Sequence, residues 1–293
     1  MMKKYVHDVI NDIYCGVQIK RHPNSKKVDI DFNFDSDNIA DIMYLTKSIK
    51  HDTFNDIDYI YGYEFVNTTS RKERNLVLDY IQGKGIYTET RRNYCISELV
   101  SRGITRLDEI NGGNNLQTYG AIVHMLPSHS GRSIVSRMAD EIESTAKPSS
   151  ITSIALVKDT WEHIELDEQF ALSILKKKYG RDTRRIDDEM ESLRNDFKRF
   201  KSNCEIHKLT NNYSIRDFCT RANLQSAFLN ILKFDSEQDE NLWKGMYNES
   251  KALLYDDMIV SGATLTEALR CLRDINPDVN IDVFVLIRNR RNN

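Results

Sequence analysis

Proline and glycine are scarce, four and twelve in 293 residues, which excludes a collagen-like chain and a long Pro/Gly-rich disordered tract. Long hydrophobic runs are lacking as well. Val283 to Ile287 is among the longest, far short of the roughly eighteen residues that span a bilayer, so no membrane association is expected and the protein should be soluble. There is no excess of positive charge: 41 Lys and Arg against 44 Asp and Glu give 41 − 44 = −3, so any contact with a polyanion must be local. Cysteines are few, odd in number and scattered, at Cys15, Cys95, Cys204, Cys219 and Cys271. That pattern argues for reduced thiols in a cytoplasmic protein rather than a disulfide framework. Only Cys204 and His207 approach metal-ligand spacing, and no second pair completes a zinc tetrahedron. The polar residues that follow Met1 to Val6 leave no room for the apolar core of a secretory signal.

What is present reads as mixed α/β. Val28, Ile30, Phe32 and Phe34 alternate with polar residues, the period of a strand with one wet face. Ser36 is expected to cap a helix carrying Ile39, Ile42, Met43 and Ile49, and Ile60 to Val66 reads as another strand. Ser70 with Glu73 is a capping-box signature ahead of a helix with Leu76, Val77 and Tyr80, which Gly83 and Gly85 end. A further helix is expected over Ile96 to Ser101. About a dozen residues separate it from Gln82, too many for a helix-turn-helix, so Arg91 and Arg92 read as a solvated basic surface. The turn signal Asn111 to Asn115 marks an expected boundary between an N-terminal α/β module, 1–116, and a second domain, 117–293.

In the second domain, the apolar runs 120–126, 151–157, 252–255 and 283–287 are separated by helical patterns, of which Arg132 to Ile142 is the first. Buried strands alternating with helices imply a parallel sheet. Between them, Ile186, Met190, Leu193, Phe197 and Phe200 keep helical spacing and read as packing. The basic run at Lys176, Lys177, Lys178, Arg181, Arg184 and Arg185 reads as a solvated face.

The stretch richest in chemistry is 252–265, ALLYDDMIVSGATL: a strand, a loop and a helix start. Asp256 and Asp257 stand at the carboxyl end of a buried strand, where open α/β sheets bind ligands and where paired carboxylates are costly unless they meet hydroxyls, cations or donors. Val260, Ser261, Gly262, Ala263 and Thr264 follow at a helix N-terminus, small enough for backbone N–H groups to cradle a phosphate. Two acceptors for vicinal hydroxyls and one phosphate cradle describe a ribose 5-phosphate.

This segment resembles the phosphoribosyl-pyrophosphate (PRPP) motif of type I phosphoribosyltransferases, with Tyr255 as the departure, being larger than the usual aliphatic. The resemblance implies that Asp256 and Asp257 hold the ribose hydroxyls, directly or through the water shell of Mg²⁺, and that Val260 to Thr264 hold the 5-phosphate. Similarity extends to the ComF-like branch through Leu156 to Thr160, through Arg221 to Phe228, and through the final strand with Arg288. It implies Lys158 and Arg221 as cations around the leaving diphosphate. Pro127 to Arg132 occupies the place of the family's pyrophosphate loop, so Ser130, Gly131 and Arg132 are diphosphate candidates by position. The branch's Arg-Gly-Phe-Asn and its cysteine-rich zinc module are both missing. About sixty residues between Thr160 and Arg221 exceed the family's connection, and an inserted helical hairpin over about 162–215 is the simplest account.

The expected architecture is thus a phosphoribosyltransferase-like parallel sheet flanked by helices, with an N-terminal α/β module and a helical insertion. Three functions stay open: a Mg²⁺-dependent transferase that makes or breaks a ribosyl bond, a regulator that binds PRPP or a nucleotide without turnover, and a nucleotide-targeting effector of a bacterial conflict system acting with a nucleic acid or protein partner. The acceptor is not legible, and a homo-oligomer is the expected quaternary state.

Overall fold

A computed structural model describes residues 14–21, 26–33, 42–46, 50–54, 57–65, 70–84, 86–109, 115–126, 134–146, 151–211, 213–247, 250–259 and 262–288. Its centre is a seven-stranded sheet. Five of these strands run parallel: β5 (Ile57–Glu64), β6 (Ala121–Met125), β7 (Thr152–Lys158), β11 (Lys251–Ile259) and β12 (Asn280–Arg288). Antiparallel strands β4 (Lys50–Phe54) and β10 (Leu232–Phe234) close its edges, giving the order β10-β7-β6-β11-β12-β5-β4. A separate three-stranded sheet, β2-β1-β3, joins β1 (Tyr14–Arg21), β2 (Val28–Asn33) and β3 (Ile42–Thr46). A two-stranded ribbon pairs β8 (Glu165–Leu166) with β9 (Phe228–Leu229).

The inner strands are apolar on both faces because helices cover both. On one side α1 (Arg71–Ile81), α2 (Glu89–Asp108) and α3 (Ile134–Ala146) bury Val77, Ile96, Leu99, Met138 and Ile142 against Leu253, Tyr255, Phe284 and Leu286. On the other side α6 (Glu237–Lys244) and α7 (Ala263–Ile275) bury Trp243, Leu265, Leu269 and Leu272 against Val123, Leu254 and Val285. Alternate residues of β11 therefore serve alternate cores, the period-two geometry of a strand. Sixty-odd residues of the chain form a third core. The helical pair α4 (Glu168–Tyr179) and α5 (Thr183–His207) packs Ala171, Leu175, Met190 and Leu193 with Phe218, Leu224 and Phe228, and Phe197, Phe200, Phe218 and Phe228 stack among themselves. This is the inserted hairpin, and the basic run at its turn is exposed, with Lys178 and Arg185 over the Tyr179 ring.

Three expectations change. Residues 42–46 form β3, pairing Met43 with Val17 and Leu45 with Cys15, where a helix was expected; sheet pairing overrides the helical spacing of Ile42 and Met43. Helix α2 begins at Glu89, and Arg92 is not a solvated cation. Its guanidinium donates from Nε to the Tyr80 carbonyl and from Nη2 to the Ile81 carbonyl, satisfying the open end of α1. Nor does the boundary at 116/117 divide the sheet: β4 and β5 come from the first 116 residues, and β5 pairs Ile60 with Phe284 of β12. The turn at 111–114 lies outside the described residues.

Candidate functional site

Strand order locates a crevice before any side chain is considered. From β6 the chain crosses through α3 to β7 on one side, and from β11 it crosses through α7 to β12 on the other. Right-handed crossovers running in opposite directions put their helices on opposite faces, as α3 and α7 are. The carboxyl ends of β6 and β11 thus diverge at a topological switch point, the place where open α/β sheets bind ligands.

Asp256 and Asp257 lie at that end of β11, both half-buried. The Asp257 amide donates to Asp256 Oδ1 at 2.8 Å. Burial pushes both carboxyls above the usual carboxylate range, Asp256 further because its neighbour's negative charge adds to the desolvation. For Asp257 the hydrogen bond with Asp256 and the charge of Lys84 oppose the effect of burial. A pair held in this state gains from any ligand that brings hydroxyl donors or positive charge.

Helix α7 starts just beyond. Gly262 at its N-cap has φ +66°, the left-handed region that favours glycine. No side chain caps this end, and Thr264 in the first turn is exposed. Asp256, Gly262 and Thr264 line one cavity of about 450 Å³, within the roughly 300–1,000 Å³ of small-molecule sites. Its opposite walls are Asn75, Asp79 and Gln82 of α1, Lys84 just after that helix, Ser214 to Arg216, and Gln225. The first 116 residues therefore contribute directly to the site.

The other expected residues are placed as follows. Val260, Ser261, Ser130, Gly131 and Arg132 lie outside the described residues; Ala263 is buried in the first turn of α7. Lys158 and Arg221 are not on the cavity wall. The Lys158 ammonium donates to the Tyr213 carbonyl and sits 5.4 Å from the centre of that ring, and burial lowers its pKa against the opposing charge of Asp217. Arg221 is turned to α5, with Nε 2.7 Å from Glu189 Oε2 and Nη2 donating to Ser192 Oγ at 2.7 Å. Both hold the insertion to the sheet domain.

Sequence reasoning missed Lys84, Arg216, Asn75 and Gln82. Each is a polar residue on an exposed turn or helix face, and only the fold brings them over β11. Tyr255, the departure from the PRPP-like pattern, is fully buried beneath the carboxylates, its ring stacked 5.9 Å from His124 of β6. Among the described residues, no group of three or more His, Cys, Asp or Glu is arranged to hold a metal, and no helix is long and apolar enough to cross a membrane. Compared with known proteins, the sequence matches no family model and no curated protein.

Proposed function

We propose that the cavity at the carboxyl end of β11 binds a ribose 5-phosphate unit, as in PRPP or a nucleotide, and that the protein is a phosphoribosyltransferase-like enzyme that makes or breaks a ribosyl bond with release of diphosphate. One observation carries this reading: an adjacent carboxylate pair and an uncapped helix N-terminus with a left-handed glycine border a single cavity at a topological switch point. Asp256 and Asp257 accept hydrogen bonds from the ribose hydroxyls. The amides at the start of α7, with the Thr264 hydroxyl, bind the 5-phosphate. Held at both ends, the sugar presents its anomeric carbon to the open part of the cavity, and positioning with electrostatic stabilisation supplies most of the rate.

The carboxylate pair also fits Mg²⁺. Two hard oxygen donors with raised pKa values gain from a dication, and magnesium takes few protein ligands and keeps several waters. Asp256 and Asp257 would hold it through water, and when bound it neutralises charge on the leaving diphosphate.

A second reading, a regulator that binds the same ligand without turnover, is favoured by one fact: Lys158 and Arg221, the cations expected at the leaving group, are engaged with Tyr213 and α5. Calorimetric titration of PRPP with Mg²⁺ into the wild type and Asp256→Asn/Asp257→Asn tests the site; equal binding by both would sink it. Diphosphate release across a panel of bases and amines separates the two readings, since silence across the panel leaves the regulator.

A further inference from the structure

We propose that Lys84 and Arg216 form an anion clamp across the cavity from the Asp256–Asp257 pair, and that the ligand carries a second anionic group, of the phosphate or diphosphate class, between them. The clamp deepens the ribose 5-phosphate reading, on which it rests for the remainder of the ligand but not for the anion itself. Both side chains are supplied by parts of the chain that the phosphoribosyltransferase resemblance does not reach, the α1 end and the segment closing the insertion.

Both residues line the cavity and both are exposed there. Among the described residues, neither side chain has a hydrogen bond or an ion pair, whereas Arg92, Lys158, Arg221, Arg270 and Arg288 are all tied to carbonyls or carboxylates. Their backbones are fixed while their charges are not spent. Lys84 follows Gly83, at φ +74°, and its amide donates to the Asp79 carbonyl at 2.6 Å, closing the end of α1 that Arg92 also secures. Arg216 sits in a 3₁₀ turn fixed by a capping box: the Ser214 amide donates to Asp217 Oδ2 at 2.7 Å, and the Asp217 amide to the Ser214 carbonyl at 2.8 Å. Lys158 anchors the residue before that box.

Two like charges held on separate rigid segments over one cavity repel each other until an anion bridges them. A guanidinium fork and a compact ammonium suit phosphate oxygens, the first bidentately and the second as a point charge. Asp79, on the same wall, keeps the mouth from attracting anions indiscriminately and favours a ligand that also offers hydroxyl donors.

The test uses the full chain and inorganic diphosphate as the probe, titrated calorimetrically into the wild type, Lys84→Met, Arg216→Met and, as a control for bulk charge, the exposed Lys177→Met. Both target side chains are exposed, and matched melting temperatures verify folding. The wild type should bind, each clamp variant should weaken binding by about ten- to a hundredfold, the loss of one charged hydrogen bond, and Lys177→Met should match the wild type. Absent binding by the wild type, equal binding by the clamp variants, or an equal loss in Lys177→Met overturns the clamp. A second titration with ribose 5-phosphate separates the two claims. Loss in Asp256→Asn/Asp257→Asn with little change in the clamp variants supports both. Equal loss in the clamp variants means that they hold the 5-phosphate, and the second-anion proposal fails. Diphosphate binding that depends on Lys84 and Arg216, with no ribose 5-phosphate binding, upholds the clamp and removes the ribose reading.

Discussion

Replacing Glu267 by alanine should unfasten the sheet domain from the chain that returns from the insertion. This carboxylate, on α7, is only 3% exposed. Its Oε1 accepts the Ile231 amide at 2.9 Å, and Arg270 donates to both its oxygens, from Nε at 2.8 Å and from Nη2 at 2.7 Å. Truncation leaves the Ile231 amide without its acceptor in a buried turn, a cost of about 1–3 kcal/mol. Breaking a buried ion pair costs about 3–5 kcal/mol, but Arg270 is 30% exposed and keeps Asp274 at 2.6 Å, so only part of that applies. The sum is about 3 kcal/mol, or roughly 6–12 °C in melting temperature at about 2–4 °C per kcal/mol. Glu267→Gln keeps the acceptor for Ile231 and should lose about half as much. Arg270→Met strands the buried carboxylate without its partner and should be at least as damaging as Glu267→Gln. Urea and thermal unfolding read all three. A loss below about 0.5 kcal/mol for Glu267→Ala, or an Arg270→Met variant milder than Glu267→Gln, would refute this account of the junction.

Asp256→Asn should stabilise the protein while abolishing ligand binding. Because the folded state raises the Asp256 pKa, the native state prefers the protonated acid; stability is complete below the unfolded value of about 3.9 and declines as pH rises through the raised folded value. The variant escapes that decline, so its melting-temperature advantage should be absent in acid and widen towards neutral pH. A constant difference across the range would exclude the linkage. Trp243, fully buried between α6 and the sheet, donates from its indole to the Leu272 carbonyl at 2.8 Å. Trp243→Phe should cost about 2 kcal/mol, less than the roughly 3–5 kcal/mol of a Trp truncated to Ala, because Leu272 still accepts the Asn276 amide. The same change should remove the blue-shifted component of the tryptophan fluorescence, and an unshifted emission maximum would mean that the indole is not buried.

Where burial and local pattern agree, the elements are legible without coordinates. The alternation at Val28 to Phe32 became β2, the Ser70–Glu73 signature became a capping box with both reciprocal hydrogen bonds, and the run ending in Asp256-Asp257 became a strand entering a helix through a left-handed glycine. Local pattern failed where a distant partner decides. Ile42 and Met43 sit at helical spacing, yet β1 pairs with them as a strand. The seven residues from Glu89 to Cys95 show no apolar stripe until Cys95, so the first turns of α2 were invisible. For the site, the carboxylates could be found because a costly pair in an apolar strand is conspicuous. Arg221 fitted a motif by position, but nothing in its own neighbourhood reveals that Glu189 and Ser192, some thirty residues earlier, will reach it. Lys84 and Arg216 had no pattern at all, since an exposed cation on a turn resembles any other.

The pairing of β5 with β12 sets a clock for the growing chain. Glu64 and Arg288, joined at 2.9 Å across those two strands, are 224 residues apart. At about 5–20 residues per second, β5 waits on the order of ten to forty-five seconds for its parallel neighbour to be made. Throughout that interval its inner edge is an open row of amides and carbonyls, and α1 and α2 have no β12 to cover. Synthesis of this chain therefore passes through a period in which the N-terminal strands are available to any other extended segment, and conditions that slow elongation should raise the share of chains that find the wrong one.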